Sequence, residues 1–134
     1  MTDFRLKIVT PDGLQYDGSA QQVTVRTTTG DISIRAHHVN YVAPLGMGEA
    51  VVLVDGEKRY GACIGGMITV ADGMVTLVAT TFEWADAIDV ARAEASQKRA
   101  ENTLENAQKG DLEFKLAEAR MKRALVRKGV AKKK

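Results

Sequence analysis

Cysteine is nearly absent from this chain: Cys63 is the only one among 134 residues. An internal disulfide is therefore excluded, and with it the stapled scaffolds of small secreted domains. In Tyr60-Gly61-Ala62-Cys63-Ile64-Gly65-Gly66 the thiol reads as a small apolar strand residue, which suits a reducing, intracellular setting. Long hydrophobic runs are missing as well. No segment approaches the roughly 18 apolar residues that cross a bilayer, and the amino terminus lacks the positive start and apolar run of a signal peptide. Any membrane association is expected to pass through a partner. Charge of one sign is also lacking, since 19 Lys and Arg stand against 17 Asp and Glu. A net charge of +2 is too slight to mark the whole chain as a nucleic-acid binder, and with aromatics at 5% there is little on which bases could stack.

Catalytic motifs are absent too. Gly56 and Gly61 have the separation of a phosphate loop, but Ala62 and Cys63 follow where Lys and Ser or Thr are needed. Gly46-Met47-Gly48 lacks the third glycine of a dinucleotide fingerprint. His37 and His38 are adjacent, with no third ligand at metal spacing, and read as turn or interface histidines. No catalytic residue and no metal site are expected.

What is present falls into two parts. Residues 1–84 alternate with period two between turn signals. Phe4, Leu6 and Ile8 alternate with Arg5 and Lys7 before Thr10-Pro11-Asp12-Gly13 reverses the chain. Val23 with Val25, and Ile32 with Ile34 after Gly30-Asp31, repeat the pattern. Val51–Val54 meets Asp55-Gly56, and Met67–Val70 runs through Ala71-Asp72-Gly73 to Val75, Leu77 and Ala79. Asp-Gly between apolar runs is a strong hairpin signal, so this half is expected to be an antiparallel sandwich or flattened barrel.

After Trp84 the punctuation changes. Residues 85–109 contain no Gly or Pro and six alanines fall within 85–100, which predicts a helix. Lys109-Gly110-Asp111 supplies a basic last residue, a glycine suited to the left-handed stop and an Asp to cap a second helix over about 112–128. The class is thus α+β, mainly β in the amino-terminal half: a β-sandwich over 1–84 and an α-helical hairpin over 85–134. Phe114, Ala117, Met121 and Leu125 form the expected contact stripe on the second helix, facing Ala93, Ala100, Leu104 and Ala107 on the first. Alanine stripes bury little area, so the hairpin is weakly held and expected to lean on a partner or ligand.

Another face of these helices carries charge. Asp89, Arg92, Ser96 and Arg99 recur at i, i+3, i+7 and i+10, and Arg120, Arg123 and Arg127 at i, i+3 and i+7. If the hairpin closes with those sides facing, four or five guanidinium groups converge, and they repel unless an anion sits between them. Arginine offers the planar, bidentate fork that phosphate accepts. The plainer reading is that such side chains make i,i+4 pairs, with Glu94–Lys98 and Glu118–Lys122 as examples. From Arg120 onward there are eight basic residues and no acidic one.

End to end, the chain resembles the epsilon-subunit family of bacterial F-type ATP synthases. The likeness lies in Leu6-Lys7-Ile8-Val9-Thr10-Pro11-Asp12-Gly13, Gly30-Asp31-Ile32-Ser33-Ile34, Ala43-Pro44-Leu45, Gly65-Gly66-Met67-Ile68-Thr69-Val70, Arg99-Ala100-Glu101 and Phe114-Lys115-Leu116-Ala117-Glu118-Ala119. Residues 88–93, Ile-Asp-Val-Ala-Arg-Ala, fit the Ile/Leu-Asp-x-x-Arg-Ala pattern of members that bind ATP. The chain departs from the family at Arg35-Ala36-His37-His38, where Leu-Pro-Gly/Asn-His is usual, and at Lys115-Leu116, where a basic position of the family is displaced.

The resemblance implies a non-catalytic rotor-stalk subunit that couples proton-driven rotation to ATP synthesis. It implies a sandwich docked on the gamma subunit and the c-ring, and a hairpin arm that inhibits ATP hydrolysis when extended toward the alpha/beta catalytic ring. It also implies ATP as a regulatory ligand holding the arm folded, with Glu83, Ile88, Asp89 and Ala93 near base and sugar and Arg92, Arg99, Arg123 and Arg127 around the phosphates. Magnesium is not required by the sequence. The implied location is the cytoplasmic face of the bacterial membrane, peripheral and through the complex. Two alternatives differ in kind: a free-standing ATP-sensing regulator, and a basic-tailed nucleic-acid accessory protein using 125–134.

Overall fold

The computed structural model describes residues 2–108 and 110–133, and the chain divides into two compact units, Met1–Trp84 and Ala85–Lys134. The expectations attached to Lys109 and Lys134 lie outside the described residues.

The first unit is a β-sandwich of eight strands: β1 Phe4–Thr10, β2 Gly13–Ala20, β3 Gln22–Thr27, β4 Gly30–Arg35, β5 Tyr41–Pro44, β6 Met47–Val54, β7 Glu57–Ala71 and β8 Met74–Trp84. Hydrogen bonding runs in the order β2-β1-β8-β7-β6-β3-β4, with β5 on β7. The alternation seen in the sequence is also the alternation of burial. Leu6, Ile8, Val23, Val25, Ile34, Val52, Ile68 and Leu77 are fully buried, and each such side chain stabilises the fold by about 1.5–3 kcal/mol relative to exposure.

Both Asp-Gly hairpins form. Asp55 and Gly56 have φ of 51° and 79°, and Asp72 and Gly73 have 51° and 81°. Positive φ at both central residues is the twist that lets a two-residue turn join right-handed strands. One pairing departs from the antiparallel expectation: β1 lies parallel to β8, with Leu6 opposite Val75 and Ile8 opposite Leu77. Each of the two also pairs along its other edge, β1 with β2 and β8 with β7, so neither is an edge strand.

Strands β2 and β5 carry weak signals in the sequence. Only Ala20 of β2 is buried, and β5 is four residues long. The length of β7 is likewise unexpected; besides β8 on one edge it serves two neighbours on the other, pairing with β6 through Glu57–Ile64 and with β5 through Met67–Val70. Gly65 and Gly66, at φ 68° and 102°, let it bend between them. A Cβ on Gly66 would stand 1.9 Å from the Val78 carbonyl oxygen, so no other residue fits there. Trp84 closes the end of the unit, edge-on to Phe82 and Tyr16, with Arg59 stacked 3.9 Å over its ring.

The second unit holds a short 3-10 turn, Ala85–Ala87, and helices α1 Val90–Asn106 and α2 Leu112–Ala131. The first helix therefore starts later and stops sooner than the residue composition of 85–109 predicts. Asp89 is the reason at the start: its backbone is extended and its carboxylate accepts a hydrogen bond from the Arg92 N–H at 3.0 Å, which makes it the N-cap. At the other end Ala107 is already extended, and Gly110, at φ 100°, lies in the connection rather than at the stop. Asp111 occupies the N-cap position of α2, but its side chain makes no cap hydrogen bond. The second helix runs beyond the expected end near 128.

The two helices pack through Ala93 and Ala100 on α1 and Ala117, Ala124, Val130 and Ala131 on α2. Leu125 is not on that face; it is 47% exposed while Ala124 beside it is fully buried. Continuing from Ala117 by i+7 gives Ala124, and small residues there let the helices approach closely. No helix among the described residues is long and apolar enough to cross a membrane.

Candidate functional site

The packing of α1 against α2 fixes where their charged faces go. With alanines at the contact, the long polar residues flanking that stripe project along the margin of the seam. Lys128 Nζ donates to Gln97 Oε1 at 2.9 Å across the two helices, and Gln97 in turn donates to Glu101 at 3.0 Å. That bond sets the register of the hairpin.

A cleft of about 570 Å³ opens along this seam. From α1 it is lined by Ser96, Arg99, Ala100, Asn102 and Thr103, and from α2 by Arg120, Arg123 and Arg127. Four guanidinium groups thus converge on one volume, from both helices, and the lining includes no carboxylate. Arg123 and Arg127 are half-buried, which weakens the screening of their charges. None of Arg99, Arg120 and Arg123 makes an ion pair with a described carboxylate. The plainer pairs Glu94–Lys98 and Glu118–Lys122 do not close either. Hydroxyl and amide groups of Ser96, Asn102 and Thr103 complete a lining suited to an elongated polyanion.

Of the eight residues singled out in the sequence, Arg99, Arg123 and Arg127 meet in this cleft, and the others do not line it. Asp89 caps α1, and Arg92 supplies the N–H that it accepts while its exposed side chain lies outside the cleft. Ile88 and Ala93 are each 4% exposed and belong to the packed interior. Glu83 lies on β8 of the first unit, opposite Ala62 of β7. The physical reason is one of reach: Arg92 sits two turns before Arg99, and Ile88 and Ala93 are drawn inward by the hydrophobic effect.

Four polar lining residues, Ser96, Asn102, Thr103 and Arg120, are outside the set that the sequence assigns to the site. Ser96 and Arg120 stand on the charged stripes without being placed in a site, while Asn102 and Thr103 carry no signal of their own. Extending the Arg99 face by i+3 and i+4 reaches both of the latter.

Other candidates are weaker. His37 adopts φ 65° in the turn after β4, and His38 Nδ1 lies 2.7 Å from the Val39 carbonyl oxygen with its ring edge-on to Tyr41. The proline-free Arg35-Ala36-His37-His38 stretch thus turns through a left-handed histidine. No cluster of three metal-ligating side chains occurs among the described residues. The Cys63 thiol is buried, and burial pushes its pKa up to about 12, far from the range of a reactive thiolate.

Residues 3–85 match the family described as "ATP synthase, Delta/Epsilon chain, beta-sandwich domain", and residues 86–132 match "ATP synthase, Delta/Epsilon chain, long alpha-helix domain". The chain is 42% identical over 135 aligned positions to the ATP synthase epsilon chain of Ruminococcus albus, covering 100% of both chains. It is 39% identical over 131 to that of Bacillus velezensis, covering 98% of each. Among solved structures, a chain of the Euglena gracilis mitochondrial ATP synthase, in an assembly of OSCP, F1 and c-ring, superposes with a TM-score of 0.70. That alignment covers 98% of this chain and 79% of the other at 20% identity. A chain of the Tetrahymena thermophila mitochondrial ATP synthase central stalk and c-ring gives 0.60 at 14% identity, covering 95% of each. At those identities the likeness is one of fold.

Proposed function

The chain belongs to the ATP synthase delta/epsilon chain family, and from that premise we propose that it is a regulated stalk subunit whose helical arm is held folded by ATP. It is a non-catalytic component of the central stalk. Its partners on this reading are the gamma subunit, the c-ring and the alpha/beta catalytic ring, and its location is peripheral, on the cytoplasmic face of the membrane, through the complex.

The carrying observation is the convergence of Arg99, Arg120, Arg123 and Arg127 on one cleft formed by both helices. Such a cluster is self-repelling when empty and is satisfied by a triphosphate, whose oxygens accept bidentate hydrogen bonds from guanidinium. A ligand that touches both helices binds only where they are side by side. It therefore shifts the population toward the folded arm by its differential affinity, by RT ln(1 + [L]/Kd). Arg99, Arg123 and Arg127 take the phosphates directly on this reading. Asp89 acts first as the cap that fixes the start of α1, and Arg92 joins the phosphate end on this reading. ATP is a signal here and not a substrate.

An extended arm has a different use for the same residues. Freed from the cleft, the basic residues from Arg120 to Lys133 can meet acidic side chains on the catalytic ring, a contact that weakens with added salt. Inhibition of hydrolysis and ATP binding then compete for the same cations.

Thermal unfolding of the full chain with and without ATP tests this. At 100 times Kd the ligand should add about 2.7 kcal/mol of stability to the helical unit. Arg123→Ala combined with Arg127→Ala should abolish that gain while leaving the sheet unit's unfolding in place. Equal stabilisation of the wild type and the double variant would rule the assignment out.

A further inference from the structure

We infer that the outer face of β4, β3, β6 and the start of β7 is a docking groove for an extended, acidic segment of a partner protein, with Arg35 at one end and Lys58 at the other as its carboxylate-binding groups. Two clefts of about 350 and 250 Å³ open on this face and share Gln22 and Leu53, which makes them one groove. Strand register sets its line. Arg35 lies opposite Gln22, Gln22 opposite Leu53 and Leu53 opposite Lys58, so these residues form one row across the strands. Their sequence neighbours Ile34, Val23 and Val52 are fully buried, and the row therefore faces outward.

The first support is charge. Arg35, His37 and Lys58 line the groove, and no described carboxylate does. None of the three makes an ion pair with a described carboxylate. Elsewhere in this unit a cation meets an acid on the adjacent strand: Arg5 bonds Asp17, and Arg26 bonds Asp31. Across from Arg35 and Lys58 stand Gln22 and Leu53 instead. The missing acids are what a partner would bring. The exposed apolar residues Val42, Met67 and Val78 lie on β5, β8 and the part of β7 beyond its bend, so the charged face is a separate surface.

The second support is that the groove is held ready. Arg35 Nε donates to Gln22 Oε1 at 2.9 Å, and Gln22 Nε2 donates to Thr24 Oγ1 at 3.3 Å, which lies 2.7 Å from Ser33 Oγ. With Nε tied down, the terminal nitrogens of Arg35 are left for a carboxylate. Gln21 Oε1 accepts from the Gly56 N–H at 2.9 Å, which fixes the turn leading to Lys58.

The third support is shape. Leu53 and Val51 give the middle of the groove an apolar floor, which suits a polypeptide better than a bare ion. Three strand intervals of about 4.8 Å put the backbones of Arg35 and Lys58 about 14 Å apart. In an extended chain, glutamates four residues apart stand about 13 Å from one another. Because β4 is the last strand in the sheet order, the groove runs out at an open edge where a longer chain can enter and leave.

The test is fluorescence anisotropy at low ionic strength, titrating the full chain into a labelled peptide of valine and serine that carries glutamates four residues apart. The chain should bind this peptide and should not bind one with lysines in place of the glutamates. Arg35→Gln should raise the Kd about tenfold, the loss of a bidentate charge-assisted contact, and Lys58→Gln about threefold, as for an exposed pair. Gln22→Leu should weaken binding in the wild type yet change nothing in the Arg35→Gln chain, since it acts by holding Arg35. Arg123→Ala combined with Arg127→Ala should leave the Kd within about twofold, which separates this face from the helical arm. No binding of the acidic peptide, equal binding of the lysine peptide, or an unaltered Kd in both Arg35→Gln and Lys58→Gln would overturn the inference. So would loss of binding in the arm variant alone. Capture of the chain by phosphatidylglycerol vesicles through Arg35 and Lys58, with no peptide bound, would overturn it too and assign the face to lipid.

Discussion

The sheet unit and the helical unit are built on opposite economies of burial. In the sheet unit the fully buried side chains are large: Leu6, Ile8, Ile34, Ile68 and Leu77, with Val23, Val25, Val52, Val70 and Val75. In the helical unit the buried face is mostly alanine, with Ile88 and Val130 the larger exceptions, while Leu112, Leu116 and Leu125 stay exposed. Burial energy scales with apolar area, so the first unit holds itself together and the second is only lightly held. On the proposed function, an arm that leaves its folded position must be of the second kind. Its stability can then be set by a ligand worth a few kcal/mol, which would be negligible beside a full core.

The sharpest way to break that contrast is to cut the same kind of contact in both units. Leu77→Ala, in the centre of the sheet unit, should cost about 2–5 kcal/mol from lost transfer energy and the cavity left behind. Ala124→Gly, at the centre of the helix seam, should cost about 1 kcal/mol, and Leu125→Ala on the exposed face less than about 0.5 kcal/mol. The two units have separate reporters. Trp84 is the only tryptophan and lies in the sheet unit, so its fluorescence follows that unit; ellipticity at a helix band follows the other. Were Ala124→Gly to unfold the chain as readily as Leu77→Ala, the helical unit would be far better packed than its alanines imply.

The same contrast governs what could be read before any coordinates. Strand periodicity was legible because burial in a sheet is a strict two-residue alternation: the predicted inward residues from Phe4 to Ala79 are nearly all buried. Both Asp-Gly turns followed from the positive φ that only a few residues tolerate. The edge strand β2 was not legible, since an edge need not be apolar on either face. The parallel pairing of β1 with β8 was hidden for another reason, as the alternation specifies a face and not a neighbour. On the helices, spacing gave the basic stripe and all four cleft arginines, though the family pattern carried over only three of them, and hydrophobic spacing misjudged the seam. Alanine recurs so often on α2 that hydrophobicity pointed to Leu125, whereas close packing selected Ala124 for its size. Arg92 shares the spacing of Arg99 but stands two turns before it and does not line the cleft.

A chemical probe sharpens the comparison from the sheet side. The Cys63 thiol, ordinarily titrating near 9.0, is held up to about 12 by burial. On raising pH, the unfolded chain loses this proton first and binds fewer protons than the folded one. Stability of the sheet unit should therefore be unaffected by Cys63 below pH 9 and should fall by about 1.4 kcal/mol per pH unit between there and 12. Cys63→Ala should remove that part of the slope, and the native thiol should resist a disulfide-exchange reagent until Trp84 fluorescence changes. Rapid labelling with the fold intact would mean that the sheet unit opens as easily as the arm.

The smallest effects lie at the two helix starts, and they discriminate because the starts differ. Asp89 closes its cap, accepting from the Arg92 N–H at 3.0 Å, whereas Asp111 occupies the equivalent position on α2 without a side-chain cap bond. Asp89→Ala should therefore cost the helical unit about 1 kcal/mol, the usual worth of an N-cap. Asp111→Ala should cost only a few tenths of a kcal/mol, from its charge near the helix dipole. In a unit held mainly by alanine contacts the first loss is large enough to move the helix melting curve by several degrees, while Trp84 fluorescence stays put. Asp89→Asn separates capping from charge, since asparagine caps as well as aspartate. If Asp89→Asn melts as wild type does yet gains less from ATP, the carboxylate acts on the nucleotide itself; if both gains are equal, its role ends at the start of α1.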